Sequence, residues 1–308
     1  MAVDLVESFR AARQVFEDAE RITGTDFLEI CRNGDESVLN STRVSQPAIF
    51  LHSMAVLDVL ASEGLSDERF CVGLRVVGTA GLSLGEYSAL VFAGSLSFED
   101  ALRVVVHRGE CMQRACDATQ GGMVSVLGLA ASEVETIVGE ARAKGLRVGV
   151  ANYNSPDQTV ISGEQSAVDE VAGDLKAAGA KRAIALKVAG AYHSELMQSA
   201  TQELSLLLNE VSVNPPRIPF YSNVTGGLLS DPDEIRQRLI EQVEKSVRWE
   251  SIIRALVESG VEGAYELGPG RVLRGLVRNV TKAVPVVSIG TNGAIEENRT
   301  LAIDGQMA

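Results

Sequence analysis

Gly78-Thr79-Ala80-Gly81-Leu82-Ser83-Leu84-Gly85 divides two stretches of different periodicity. The apolar run Val72–Val77 before it reads as a strand, and Glu86–Ala93 after it reads as the start of a helix. Strand, tight turn and helix in that order make a βα unit. Inside the turn, Gly81-Leu82-Ser83-Leu84-Gly85 fits G-x-S-x-G, the nucleophile elbow. A strand that reverses sharply into a helix leaves the serine side chain exposed at the bend, and glycine at both flanks lets the backbone pack that closely. Amides at the helix N-terminus beneath the serine favour an oxyanion. Ser83 is therefore a candidate nucleophile, set against the plainer reading of an ordinary βα turn with a solvent-facing serine.

Upstream of this unit the chain reads as helical. Phe9, Ala12, Val15, Phe16 and Ala19 recur at helical spacing, and a second helix runs from Ser45 to Ser62 with Pro47 in its first turn and Gly64 past its end. Downstream, Ser97 with Asp100 three residues on makes a reciprocal cap for a helix that carries Leu102, Val105, Val106 and Met112 inward and ends near Cys116. Thr119-Gln120-Gly121-Gly122 breaks the pattern. Beyond it come strand Met123–Leu129, helix Ser132–Lys144, strands Arg147–Tyr153 and Gln158–Ser162, helix Gln165–Ala178 and strand Arg182–Val188. That order is βαββαβ, the split βαβ of a ferredoxin-like unit. A mixed pattern then resumes: helix Leu196–Val211, strand Ile218–Ser222, helices from Asp233 and over Ser251–Ser259, strand Gly263–Leu267, and a basic helix from Arg271 to Asn279. The fold class is α/β: a small unit over residues 121–189 is inserted into a larger domain formed by 1–120 and 190–308.

Composition limits what such a chain does. Its 308 residues, 45% hydrophobic and 22% charged, are those of a globular protein large enough to bury a core without disulfide or metal staples. The net charge of −13 is opposite to the basic footprint that nucleic acid or an anionic membrane requires. No uncharged run reaches the roughly 18 residues of a membrane span, and Met1–Arg10 lacks the apolar core of a signal peptide. Cys31, Cys71, Cys111 and Cys116 form no CxxC and lie near no zinc-spaced histidine pair, so they read as reduced, mostly buried thiols. These features point to the cytoplasm or an organelle matrix. No G-x-G-x-x-G follows a strand and no phosphate-binding G-x-x-x-x-G-K-S/T occurs, so no nucleotide cofactor and no metal are expected.

A serine nucleophile needs a base, and the chain has 3 histidines. His52 lies inside an apolar helix and reads as a satisfied core residue; His107 sits mid-helix in a solvated or packing position. His193 follows Gly190-Ala191-Tyr192 in a loop after a strand, where a side chain can be aimed, and is selected as the base. Arg108 has two readings that spacing does not separate: a solvated helix residue, or a guanidinium fork for a substrate carboxylate.

The chain resembles the malonyl-CoA:acyl-carrier-protein transacylases and the related acyltransferase domains of polyketide synthases. The resemblance runs from the first helix to about Ile289. It is carried by Ser45-Gln46-Pro47-Ala48, Gly81-Leu82-Ser83-Leu84-Gly85-Glu86-Tyr87, Arg108-Gly109-Glu110-Cys111-Met112-Gln113 and Asn152-Tyr153-Asn154-Ser155-Pro156. Gly190-Ala191-Tyr192-His193-Ser194, Ser222-Asn223-Val224, Val247-Arg248-Trp249 and Glu266-Leu267-Gly268-Pro269-Gly270 complete it. The resemblance implies a hydrolase-like domain with a parallel sheet and a ferredoxin-like insert. It implies transfer of malonyl from malonyl-CoA to acyl carrier protein through an ester on Ser83, with His193 as general base and acid. Arg108 would hold the malonyl carboxylate, the Leu84 N–H would serve the oxyanion, and Gln242 matches a glutamine near the site. Tyr192 would crowd out an α-methyl branch.

Two features depart from the family pattern. Leu82 stands where family members more often have histidine. The family also opens on a strand and a Phe-Pro-Gly-Gln-Gly motif whose glutamine helps build the oxyanion hole. This chain opens on Met1-Ala2-Val3-Asp4-Leu5, past that motif, so a version extended upstream is expected to be more stable and more active. The competing readings are a serine hydrolase or thioesterase, for which no HGGG-type loop precedes Gly81, and a catalytically impaired binding subunit. Docking of an acidic carrier onto an acidic chain requires a local basic patch. Arg142, Lys144, Arg147, Lys181, Arg182 and Lys187 on the inserted unit, with Arg271, Arg274 and Arg278 on the late helix, are the candidates.

Overall fold

The structure is a computed structural model that describes residues 1–62 and 76–303. Most of the Val72–Val77 stretch, Gly64 and Cys71 lie outside the described residues. In chain order the elements are α1 (Val3–Ser8), α2 (Arg10–Thr23), α3 (Phe27–Asn33), α4 (Glu36–Leu39), α5 (Thr42–Ser62), β1 (Thr79–Ala80), α6 (Gly85–Phe92) and α7 (Phe98–Asp117). Then come β2 (Gly121–Leu127), α8 (Ala131–Ala143), β3 (Val148–Ser155), β4 (Gln158–Glu164), α9 (Gln165–Ala177) and β5 (Arg182–Ala185). A 3-10 turn, Glu195–Met197, leads into α10 (Gln198–Glu210), β6 (Phe220–Tyr221), β7 (Leu228–Leu229), α11 (Pro232–Glu241), α12 (Trp249–Glu258), β8 (Ala264–Leu267), α13 (Val272–Val280), β9 (Val286–Ile289) and α14 (Asn292–Ile303).

α5 is the centre of the larger core. Phe50, Leu51, Ala55, Val56 and Val59 are fully buried, and the helix packs between α2 and α7. It is long and apolar enough to cross a membrane, yet 67% of its apolar window is buried inside the protein. It starts at Thr42, earlier than its sequence suggests, so Pro47 lies beyond the first turn. His52 is buried on this helix with Nε2 donating to Gly290 O at 2.7 Å, but its Nδ1 has no partner, so it is only half satisfied. α7 begins as expected: Ser97 Oγ accepts from Asp100 N at 3.0 Å and donates to Asp100 Oδ2 at 2.8 Å.

Among the described residues, the sheet around the elbow is more mixed than the expected parallel sheet. β1 pairs β6 in parallel, β7 adds antiparallel to β6, and β8 and β9 form a separate parallel pair. The segment 121–189 contributes a four-stranded antiparallel sheet, β3-β4-β2-β5, under α8 and α9. It carries its own apolar core of Val124, Val126, Val134, Val138, Ile161, Val168, Val171 and Leu175. Gly121 and Gly122, expected to break the chain, instead open β2. A Cβ on Gly121 would lie 2.7 Å from Ala191 Cβ, and one on Gly122 would lie 2.2 Å from Gln165 Oε1, so glycine here permits close approach rather than a turn. β9, α14 and the short α3, α4 and β7 have no counterpart in the sequence reading.

Ile161 sits fully buried at the middle of this four-stranded sheet, whereas Ile184 on its edge is 41% exposed. Ile161→Ala should lower unfolding free energy by about 2–5 kcal/mol, and Ile184→Ala by about 0.5 kcal/mol. Urea denaturation of the two variants measures the contrast.

Candidate active site

Ser83 stands between β1 and α6 with φ +49°, a left-handed conformation that is strained for a serine. The turn that imposes this has no room for a side chain at Gly81, where a Cβ would lie 2.0 Å from Gly85 C. Asn223, just after β6, clamps it from both sides. Its Oδ1 accepts from Ser83 N at 2.6 Å and its Nδ2 donates to Gly81 O at 2.7 Å. Leu84 follows as the N-cap of α6, and among the described residues its N–H has no acceptor.

His193 also has a positive φ, +56°. Its backbone N–H donates to Val243 O at 3.0 Å, and the next residue steadies the loop by donating from Ser194 Oγ to Ala191 O at 2.7 Å. The ring spans two partners: Nδ1 is 2.7 Å from Gln242 O and Nε2 is 2.9 Å from Ser83 Oγ. A carbonyl only accepts, so Nδ1 carries the proton and the Nε2 lone pair faces the serine hydroxyl. Among the described residues no carboxylate bonds to this imidazole. Burial, reinforced by the positive charge of Arg108, pushes the His193 pKa down to about 4. The ring is thus neutral and basic at neutral pH.

Arg108 lies on α7 with 1% of its surface exposed, so it is not the solvated helix residue that is one of its two readings. Nη2 donates to Ser83 Oγ at 3.0 Å and to Gln242 Oε1 at 3.0 Å, while Nη1 donates to Gln46 Oε1 at 2.5 Å. Its Cζ lies 5.8 Å from the Tyr87 ring centroid. Nε has no acceptor, and among the described residues no carboxylate pairs with this cation. Burial pulls its pKa down, and Tyr87 and Glu86 oppose that pull.

Gln242, at the end of α11, ties these groups together. Beyond its contacts to His193 and Arg108, its Nε2 donates to Ser83 O at 2.8 Å and to Glu86 Oε2. Glu86 is 1% exposed; burial pushes its pKa up to about 7, against the pull of the Asn223 amide, Gln242 and Arg108. Ser83, His193, Arg108 and Gln242 therefore lie together in one hydrogen-bond network. Tyr192 stands apart from this network. Its hydroxyl pairs with Thr42 Oγ1, and its ring packs beside Met123, Ala151 and Val160. Gln46, Glu86 and Asn223 were visible as parts of sequence segments but carried no role there, because nothing local marks them as buried. Among the described residues no cluster of His, Cys, Asp or Glu is placed to hold a metal ion.

Residues 1–297 match the family described as acyl transferase domain. The chain belongs to the acyl transferase family. It is 37% identical over 296 residues to the malonyl CoA-acyl carrier protein transacylase of Bacillus subtilis, covering 96% of this chain and 90% of that protein. The Escherichia coli K12 protein of the same name is 35% identical over 295 residues, with 96% and 93% covered. Among solved structures, the acyl-carrier-protein S-malonyltransferase of Bartonella henselae superposes with TM-score 0.89 at 37% identity, over 98% of this chain and 94% of that one. A type II PKS acyl-carrier protein in complex with its malonyl-transacylase gives TM-score 0.90 at 34% identity, over 99% and 95%. The family that the sequence segments resembled is thus the family of the acyl transferase itself.

The buried imidazole has a consequence for stability. An unfolded histidine gains its proton near pH 6.5, whereas His193 in the folded acyl transferase stays neutral to about pH 4. Between those values the unfolded state binds more protons, so stability from this residue is lost as pH falls through the window, by at most about 1.4 kcal/mol per pH unit. His193→Asn keeps a residue tolerant of positive φ and removes the titration. Its urea midpoint should fall less than that of the parent chain between pH 6.5 and 4.

Proposed function

We propose that this acyl transferase moves a malonyl group from malonyl-CoA to the phosphopantetheine thiol of an acyl carrier protein, as in fatty acid biosynthesis, through an ester on Ser83. The observation that carries the reading is Arg108. It is a fully buried cation beside the nucleophile, without a carboxylate partner and with an unpaired Nε on the same guanidinium edge as Nη2. A buried charge lacking its counterion is costly, and a substrate that brings a free carboxylate relieves that cost. Malonyl supplies one at the end remote from its thioester; acetyl does not.

The geometry performs two successive half-reactions. Ser83 Oγ gives its proton to His193 Nε2 and attacks the thioester carbonyl; the Leu84 N–H faces the oxygen that becomes negative. Collapse breaks the carbon–sulfur bond, and the leaving CoA sulfur takes the proton back from His193. The carrier thiol then loses its proton to Nε2, its sulfur attacks the Ser83 ester, and the serine oxygen leaves with that proton. The Gln242 carbonyl steadies the imidazolium in each half, in place of an acidic third member. Tyr192, pinned by Thr42, is a wall beside the acyl group rather than a hydrogen-bond partner of it.

The antiparallel sheet with its own apolar core supports a ferredoxin-like subdomain over residues 121–189, set in a hydrolase-like catalytic domain of 1–120 and 190–308. His193 lies where the chain returns from this insert, so the catalytic pair joins the two halves of the larger domain. Within the basic patch, Arg142 and Arg147 are already engaged by Glu195, and Arg147 also by Glu164. Lys144, Lys181, Arg182 and Lys187 on the insert, and Arg271, Arg274 and Arg278 on the late helix, are exposed and have no such ion pairs among the described residues.

Incubation with malonyl-CoA should add one malonyl group to the chain, seen by intact-mass spectrometry, and Ser83→Ala should abolish it. His193→Ala should slow acylation by roughly 10² to 10⁴. An adduct that persists in Ser83→Ala refutes the nucleophile, and release of free malonate in preference to transfer would indicate a hydrolase.

Arg108→Ala should cost malonyl transfer far more than acetyl transfer, because the lost fork serves the carboxylate that only malonyl carries. Competition between the two CoA esters reads the ratio, and equal loss for both would remove Arg108 from substrate recognition.

A further inference from the structure

Glu86 is a buried acid that the reaction steps above leave without a task. It occupies the second position of α6, where the helix N-terminus favours a negative charge, and among the described residues it forms no ion pair. Each of its oxygens faces a donor. Oε1 accepts from Asn223 N at 2.5 Å, and Oε2 accepts from Gln242 Nε2. The ionised form accepts from both donors, and the Ser222 side chain also lies against this carboxylate.

These two partners hold the reacting groups. Asn223 clamps the turn at Gly81 and Ser83, and Gln242 contacts Ser83, Arg108 and His193. We propose that Glu86 is a positioning residue for acyl transfer, fixing the sense of the Gln242 side-chain amide and the seat of Asn223. The proposal rests on the acyl-transfer reading of the site. A glutamine amide has nearly the same shape with nitrogen and oxygen exchanged. Reversed, Gln242 would set Nε2 against the guanidinium and Oε1 against both Ser83 O and Glu86 Oε2. Arg108 enforces the present sense in the free site, but its donors are the ones a substrate carboxylate draws away. Glu86 touches no group that reacts, so its hold on the amide stays constant while Arg108 changes partners.

Glu86→Gln keeps size and shape and converts one acceptor into a donor. Malonyl transfer should fall about 10²-fold, the scale of a small misplacement of reacting groups, mainly in kcat rather than in KM for the carrier. Gln242→Ala provides the second arm of a cycle. If Glu86 acts through Gln242, the double variant should lose much less than the product of the two single losses. Losses that multiply overturn the proposal, as does unchanged kcat in a Glu86→Gln variant that only melts lower. Should Glu86→Gln not fold, Glu86→Asp retains the charge but shortens the reach. A fall in kcat coupled to Gln242→Ala supports the proposal, and parental kcat overturns it. A parent chain that neither acquires a malonyl adduct nor transfers it would defeat the acyl-transfer reading itself, an outcome distinct from an active parent with an indifferent Glu86.

Discussion

Asn223 holds Ser83 in a conformation that a serine does not adopt unaided. A left-handed residue of this type costs about 1–3 kcal/mol and persists where its surroundings over-determine it. Here the asparagine side chain closes a bridge across the turn, accepting from the serine amide and donating to the carbonyl two residues earlier. Everything reactive follows from that bridge. It sets the direction of Oγ, hence its 2.9 Å and 3.0 Å distances to His193 and Arg108, and it leaves the next amide at the mouth of α6. His193 is strained in the same sense and is held through Val243 O and Gln242 O. The chain from β6 to the end of α11 therefore anchors both strained residues, which explains how two segments 110 positions apart keep hydrogen-bond register.

Gln242 and Glu86 are surrounded by matched donors and acceptors, while Tyr87 Oη and Ser222 Oγ nearby are buried without a hydrogen-bond partner among the described residues. Gln242 uses its backbone carbonyl, its side-chain oxygen and both amide hydrogens; Glu86 uses both oxygens. Such a network is worth its desolvation only when complete, since a half-satisfied buried group costs more than an apolar one. Two further exceptions then carry meaning. Arg108 Nε is buried without a partner, and the Leu84 N–H has none among the described residues. Both lie beside Ser83, where on the proposed reading a substrate supplies a carboxylate and an oxyanion.

The parts of the site legible in the sequence were those whose physics is local. G-x-S-x-G in a strand–turn–helix setting constrains its own backbone, and Ser97 with Asp100 caps α7 by contacts three residues apart. With 3 histidines, elimination led to His193. Arg108 was undecidable because its burial comes from α5, α6 and α11, none of which its own helix periodicity reports. Glu86 was overlooked for a related reason: an acid in a first turn already has a sufficient explanation in the helix dipole. The βαββαβ order was readable because all its elements but the last strand run seven residues or more. The strands around the elbow span two to four residues, too few for alternation to register, and they pair with partners far along the chain. Gly121 and Gly122 misled because close approach and chain reversal select the same residue.

On the proposed reading, the charge that selects a substrate also acts on the base, beside the larger effect of burial. Burial, with the Arg108 charge beside it, holds the His193 pKa near 4, so in the free site the imidazole is neutral but a weaker base than a free histidine. On the same reading, a carboxylate paired with Arg108 offsets that guanidinium's part of the shift, while the larger part, from burial, stays. An acyl group without a carboxylate leaves both parts in place, so it meets both a missing contact and a weaker base. On the proposed reading, discrimination against acetyl then belongs to the acylation step as well as to binding, because one guanidinium sits against the nucleophile and acts on its base.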